Sequence, residues 1–193
     1  MLSESAKILL TGLPRCGKTT AVMKIIANLD CERIAGFYTQ EIRVGGVRKG
    51  FSWRRLDGVT GTLAHIDIKS TFRVGKYGVD VAGFEKSLVP ILDVEKTDVK
   101  LFVIDEIGKM ECFSKEFVAA IRRLFKSDKS VLATVALKGT GLISEVKNDP
   151  NTKLFNLTHH NSEKTMDEIL QALRFLKNSE LKNGRFNNTS RTE

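Results

Sequence analysis

Ile8-Leu9-Leu10-Thr11-Gly12-Leu13-Pro14-Arg15-Cys16-Gly17-Lys18-Thr19-Thr20 runs from a short apolar segment, through a loop bounded by two glycines, into a helical pattern. Its residues 12 to 19 match G-x-x-x-x-G-K-[ST], and strand, loop and helix follow one another in the order that motif requires. The glycines let the backbone curl so that successive N–H groups point inward, and the helix N-terminus adds its partial positive charge. A phosphate chain fits such a nest. On this reading Gly12, Leu13, Pro14, Arg15, Cys16, Gly17, Lys18, Thr19 and Thr20 surround the phosphates. Lys18 bridges the β- and γ-phosphates of a triphosphate, and the Thr19 hydroxyl joins the shell of a Mg2+ ion. The plainer alternative for the stretch is a glycine-rich turn that binds nothing. Cys16 lies beside the lysine and the helix N-terminus, which favour a thiolate, although an inert loop cysteine is the simpler reading.

Working outward, Leu101-Phe102-Val103-Ile104-Asp105-Glu106 carries four apolar residues straight into two carboxylates. A strand beside the first one that ends in an Asp suits Mg2+ coordination, which assigns Asp105 to the metal with Thr19. Glu106 then projects at the carboxyl edge of the sheet, where open α/β sheets bind ligands, and a carboxylate there can orient a water and take its proton. The competing reading makes the pair an ordinary strand-end turn or cap in solvent. Glu111 is a further carboxylate candidate.

Non-alternating apolar runs mark strands covered on both faces. They occur at Ile8 to Thr11, Leu101 to Ile104, Val131 to Val135 and Leu154 to Leu157, with Ile34 to Tyr38 as a fifth. Val22, Ile25, Ile26 and Leu29 keep helical spacing between them, as do Phe117, Ile121, Leu124 and Phe125. A last helix starts near Ser162, taken as its N-cap, with Met166, Ile169, Leu170, Leu173 and Leu176 on one face. The alternation predicts an α/β protein with helices on both faces of a mostly parallel sheet. Phe37 to Ile42 and Val47 to Leu56 flank Gly45-Gly46 and predict an added antiparallel hairpin rich in cations: Arg43, Arg48, Lys49, Arg54 and Arg55. Either these charges protect an exposed strand edge or one or more of the arginines reaches the triphosphate.

The 193 residues suit one domain, placed at 1–177, with a polar aperiodic tail over 178–193 expected to be mobile. Hydrophobic residues at 41% and charged residues at 28% are ordinary for a soluble chain, and no segment is apolar for long enough to cross a bilayer. The first residues do not read as a secretory leader, so a cytoplasmic location is expected. Three cysteines without metal spacing argue for reduced thiols. The net charge of +8 fits a polyanionic ligand without naming one. A monomer is expected.

Several blocks together resemble a known family, the small thermostable nucleoside-triphosphatases, whose relatives include the human cancer-related nucleoside-triphosphatase. They are Gly12 to Thr19, Gly36-Phe37-Tyr38-Thr39-Gln40-Glu41-Ile42-Arg43 with Arg48 to Phe51, Val74-Gly75-Lys76-Tyr77-Gly78-Val79-Asp80, and Val103-Ile104-Asp105-Glu106-Ile107-Gly108-Lys109-Met110-Glu111. In order, they span roughly residues 6 to 176. The resemblance implies a three-layer αβα P-loop fold of the RecA-like type and Mg2+-dependent hydrolysis of ATP, GTP and other nucleoside triphosphates with broad base tolerance. It also implies that Glu106 is the catalytic carboxylate, working with Lys18 and Asp105. One departure stands at Leu157-Thr158-His159-His160-Asn161-Ser162, where Ser162 occupies a place often held by arginine in relatives. His159 and His160 either stack on a base or are plain loop residues, and Tyr77 either packs on the core or covers the nucleotide with Lys76. Lys109 either neutralises developing charge or is a turn lysine.

Two rivals remain open to the sequence. A nucleotide or small-molecule kinase shares the loop, the metal and the fold class. A nucleic-acid-associated ATPase switch is permitted by the charge. It is disfavoured by scattered basic residues and by only one Trp and two Tyr for stacking.

Overall fold

The first strand, β1 (Lys7–Thr11), is buried along its whole length, which is why its sequence lacks alternation. In the computed structural model, which describes residues 5–29, 31–95 and 98–174, β1 lies within a nine-stranded sheet. The expected tail and Leu176 lie outside the described residues. β1 pairs in parallel with β8 (Ser130–Val135) on one side and β9 (Thr152–Asn156) on the other, and β8 is followed by β7 (Leu101–Ile107) and then β2 (Ile34–Val44), all parallel. Beyond β2 come β3 (Val47–Arg55), β4 (Thr60–His65), β6 (Tyr77–Val79) and β5 (Arg73–Val74), all antiparallel.

Strand alternation divides the core between the two faces. Ile8, Leu10, Leu101, Val103 and Leu132 point to one side, with Ala21, Val22 and Ile25 of α1 (Lys18–Asn28) and Ile169 and Leu173 of α5 (Ser162–Leu173). Leu9, Phe102, Ile104, Val131 and Ala133 point to the other, against α2 (Val81–Leu88), α3 (Lys115–Lys126) and α4 (Leu142–Lys147). This is the three-layer αβα arrangement anticipated from the sequence. Caps fix the second layer: Asp80 accepts from the Gly83 amide at 3.0 Å, and Ser114 from the Phe117 amide at 2.9 Å. Lys7, a lysine in a buried strand, donates to the Leu124 and Ser127 carbonyls at 3.0 and 3.1 Å and to the Lys129 carbonyl, satisfying the C-terminal end of α3.

Four features differ from the sequence expectation. The antiparallel addition is four strands, not a hairpin, because Thr60–His65, Arg73–Val74 and Tyr77–Val79 extend the sheet outward from β3. The strand carrying Asp105 is not beside the first one, since β8 lies between β1 and β7. The run at Leu154 is an edge strand with mostly exposed side chains, not a doubly covered one. Helix α5 has Asn161 as its N-cap residue and Ser162 as its first residue, and the Asn161 side chain does not cap the helix but laces the preceding loop through Thr158 and the Asn156 carbonyl.

The hairpin turn itself is as the sequence suggested. Gly45 and Gly46 have φ of 54° and 77°, the left-handed pair that a tight two-residue turn demands. β2 is 11 residues long and pairs with β7 only over Ile34 to Tyr38, so Thr39 to Val44 run about 20 Å past the carboxyl edge of the parallel sheet.

Phe37, Phe84 and Phe117 join β2, α2 and α3 in one edge-to-face cluster, with ring centroids 5.3 to 6.3 Å apart. Phe84→Ala should therefore cost about 3 to 5 kcal/mol in urea denaturation with an unchanged m-value. A loss below about 1 kcal/mol would mean the cluster does not anchor α2.

Candidate active site

The carboxyl ends of β1, β7 and β2 meet the start of α1 around a cleft of about 740 Å3. Pro14, Arg15, Gly17, Lys18, Thr19 and Thr20 line one wall, Thr39, Gln40, Glu41, Arg48 and Phe51 the opposite wall, and Glu106 the floor. Gly12 shapes the first wall: a Cβ there would stand 2.4 Å from the Leu157 carbonyl and 2.8 Å from the Cys16 sulfur, and its φ of 155° disfavours a side chain. Cys16 is thus buried behind the loop, and Leu13 is two-thirds exposed. Leu13 takes part through its carbonyl, which accepts from the Cys16 amide and from Lys18 Nζ at 3.2 and 3.4 Å. Lys18 also donates to the Gly12 carbonyl at 3.3 Å, so its ammonium lies along the loop.

Asp105 is 1% exposed, although β8 separates its strand from β1. Thr19 Oγ1 donates to its Oδ2 at 2.7 Å from the first turn of α1, and Thr134 Oγ1, at the end of β8, donates to its Oδ1 at 2.5 Å. Burial pushes the Asp105 carboxyl above its ordinary range, and the hydroxyls of Thr134 and Thr19, the Thr39 amide and Lys18 pull it back. Thr19 and Asp105 offer oxygen donors of the kind Mg2+ takes, which uses one or two carboxylates beside phosphate oxygens.

The β7–β8 register shifts between Ile104 and Ile107, so Asp105 and Glu106 stand in an irregularity where a strand re-aims its side chains. The Asp105–Glu106 peptide is cis. Glu106 faces the cleft half-buried; burial pushes its carboxyl up, Lys18 draws it down and Asp105 adds to the rise. Lys147, at the end of α4, acts on Glu106 electrostatically and donates to the Leu137 carbonyl at 2.9 Å. Glu111 stands behind this floor. A Cβ on Gly108 would lie 2.8 Å from Glu111 Oε2 and 3.0 Å from Glu106 Oε1, so the two carboxyls converge on that glycine.

Among the other candidates, Arg43 is drawn to Glu41 and the Gly46 carbonyl at the hairpin tip, and Arg55 to Asp57 and the Ser87 carbonyl. Arg54, Lys109, His159 and His160 are exposed and, among the described residues, do not line the cleft. Tyr77 packs edge-on to Phe51 at 5.3 Å, behind the cleft wall. Sequence reasoning missed Thr134, Lys147 and Phe51. A strand-end threonine and a helix-end lysine carry no local signal, and only the sheet order brings them to Asp105 and Glu106.

Burial, and then the Glu106 charge, push the Glu111 carboxyl up to about 8 from 4.5. Between those values the folded chain binds more protons than the unfolded one, so this contribution to stability is complete below pH 4.5 and is lost as the pH rises through about 8. Glu111→Gln keeps the shape without the proton. Its melting temperature should exceed that of the wild type at pH 8.5 by more than at pH 5, and a gap that does not grow with pH would show that Glu111 is not held neutral.

Comparison with known proteins agrees with this geometry. A family model described as NTPase matches residues 7–170. The chain is 39% identical over 169 residues to the nucleoside-triphosphatase THEP1 of Thermotoga sp. strain RQ2, covering 88% of this chain and 96% of that one. It is 35% identical over 178 residues to the cancer-related nucleoside-triphosphatase of Homo sapiens, covering 84% and 94%. The crystal structure of THEP1 from the hyperthermophile Aquifex aeolicus superposes with a TM-score of 0.79 at 36% identity, over 86% of this chain and 98% of that chain. With a family model over residues 7–170 and relatives 35 to 39% identical over most of their length, the chain belongs to the NTPase family that includes the THEP1 and cancer-related nucleoside-triphosphatases.

Proposed function

We propose that this protein hydrolyses nucleoside triphosphates to the diphosphate and phosphate with Mg2+, with little regard for the base. The observation that carries the reading is that Glu106 and the phosphate-loop residues Lys18 and Thr19 line one cleft, with Thr19 bonded directly to Asp105. The loop amides and Lys18 hold the β- and γ-phosphates. Thr19 and Asp105 would hold Mg2+, which would supply neutralising charge to the phosphate oxygens. Glu106, made more basic by burial, orients a water toward the γ-phosphorus and accepts its proton as the P–O bond to the leaving diphosphate breaks. Base tolerance follows from a grip that acts on the phosphates. The names of the relatives support the reaction class.

The test is phosphate release from a panel of common nucleoside triphosphates without any acceptor, beside Lys18→Ala and Glu106→Ala. Lys18→Ala should weaken nucleotide binding in calorimetry. Glu106→Ala should bind normally and turn over about 100-fold or more slowly, the scale of losing a positioned base. Unchanged turnover in the Glu106 variant removes it from the mechanism. Absence of phosphate release from the wild type, with phosphoryl transfer to an added nucleoside monophosphate, would make the protein a kinase.

A further inference from the structure

The hairpin carries five cations, and among the described residues only Arg48 of these lines the cleft. A register fault puts it there. Side chains two apart share a face of a strand, so Glu41 and Arg43 of β2 look the same way, and Phe51 opposite Glu41 looks with them. Continued regularly past the Ile42–Gly50 pair, the ladder would set Lys49 opposite Arg43 and turn Arg48 to the other face. Instead the register shifts between Ile42 and Arg43, and Arg48 pairs with Arg43. One extra residue thereby swings Arg48 to the side of Glu41 and Phe51, the wall that faces Lys18 and Glu106.

The arginine is held there by contacts that leave it able to act. Its guanidinium carbon stands 5.2 Å from the Phe51 ring centroid, Nε donates to the Tyr77 hydroxyl at 3.2 Å, and Nη1 donates to Glu41 Oε1 at 2.6 Å. Among the described residues no hydrogen bond uses Nη2. Glu41 also takes Arg43 through Oε2, so it stays paired if Arg48 leaves it. A carboxylate with one charge, shared between two guanidiniums, competes poorly with a triphosphate for a planar fork suited to phosphate oxygens.

We propose that Arg48 is a catalytic residue that leaves Glu41 when a triphosphate fills the cleft and meets the γ-phosphoryl group from the side opposite Lys18. This rests on the hydrolytic reading above. As the water oxygen bonds to the γ-phosphorus and its proton passes to Glu106, the bond to the β–γ bridging oxygen breaks and the electron pair departs with the diphosphate. Arg48 meets the charge spread over the transferring oxygens, the task of an arginine supplied in cis.

The experiment uses the full chain with Mg2+ and compares Arg48→Ala, Arg48→Lys and Arg43→Ala. It measures kcat and KM for ATP, and calorimetric binding of Mg·ADP alone and with aluminium fluoride, which mimics the transferring phosphoryl group. Arg48→Ala should lose about 100-fold or more in kcat, and about 30-fold or more in affinity for the aluminium fluoride complex. Its KM and Mg·ADP affinity should stay within about threefold. Arg48→Lys should recover part of both losses. Arg43→Ala breaks the same Glu41 cluster away from the cleft and should keep kcat within about twofold. The proposal is overturned if Arg48→Ala hydrolyses like the wild type, if it loses Mg·ADP and the aluminium fluoride complex equally, or if Arg43→Ala matches it. In each case hydrolysis by Glu106 stands. A wild type that releases no phosphate instead sinks the hydrolytic reading, and this proposal with it.

Discussion

The bond from the Thr19 hydroxyl to the Asp105 carboxylate is the constraint around which this molecule is arranged. Asp105 is almost wholly removed from water, and an ionised carboxylate there is costly unless its oxygens are occupied. One oxygen is taken by Thr19 on the first turn of α1 and the other by Thr134 at the end of β8, with the Thr39 amide adding to the shell from β2. Four elements distant in sequence are thereby tied to one charged group. Displacing any of them exposes an unsatisfied buried acceptor, a penalty of about 1 to 3 kcal/mol or more for a charged group.

That constraint explains why a strand can stand between β1 and β7 without separating the loop at 12–19 from the carboxylates. Parallel strands lie about 4.8 Å apart, so an intervening strand moves the Asp some 10 Å from β1. The gap is spanned from both sides, because Thr19 on the first turn of α1 reaches one Asp105 oxygen and Thr134 on the intervening strand holds the other. Lys147 and Glu111 surround the floor in the same way, one from α4 and one from behind Gly108. Burial makes Glu106 more basic than a solvated glutamate, Asp105 adds to the rise, and the ammoniums of Lys18 and Lys147 draw it back.

The antiparallel extension is the second structural idea. By running past the carboxyl edge, β2 and β3 turn a shallow sheet-edge site into a walled cleft, and their bulge selects which side chains face inward. β4, β6 and β5 brace that wall from outside, with Tyr77 packed on Phe51 and bonded to Arg48. A two-stranded ribbon alone would be marginal in water, and the extra strands supply the apolar face it needs.

Much of this was legible in the chain. The strand–loop–helix around 12–19, the apolar run into Asp105 and Glu106, the five parallel strands and the stripes of α1, α3 and α5 rest on short-range signals, namely glycine tolerance, uninterrupted apolarity and 3.6-residue spacing. The Gly45-Gly46 turn was equally local. What stayed hidden depended on neighbours: β5 and β6 are two and three residues long, and α2 is eight residues with Gly83 inside it. No period can be read over such lengths. Strand order, the partnership of Thr134 with Asp105, the approach of Glu111 to Glu106 and the inward turn of Arg48 were decided only by tertiary structure. Sequence determines which face of an element is apolar, whereas which polar groups share a site depends on sheet order and on a one-residue register shift, and neither leaves a local mark on composition or spacing.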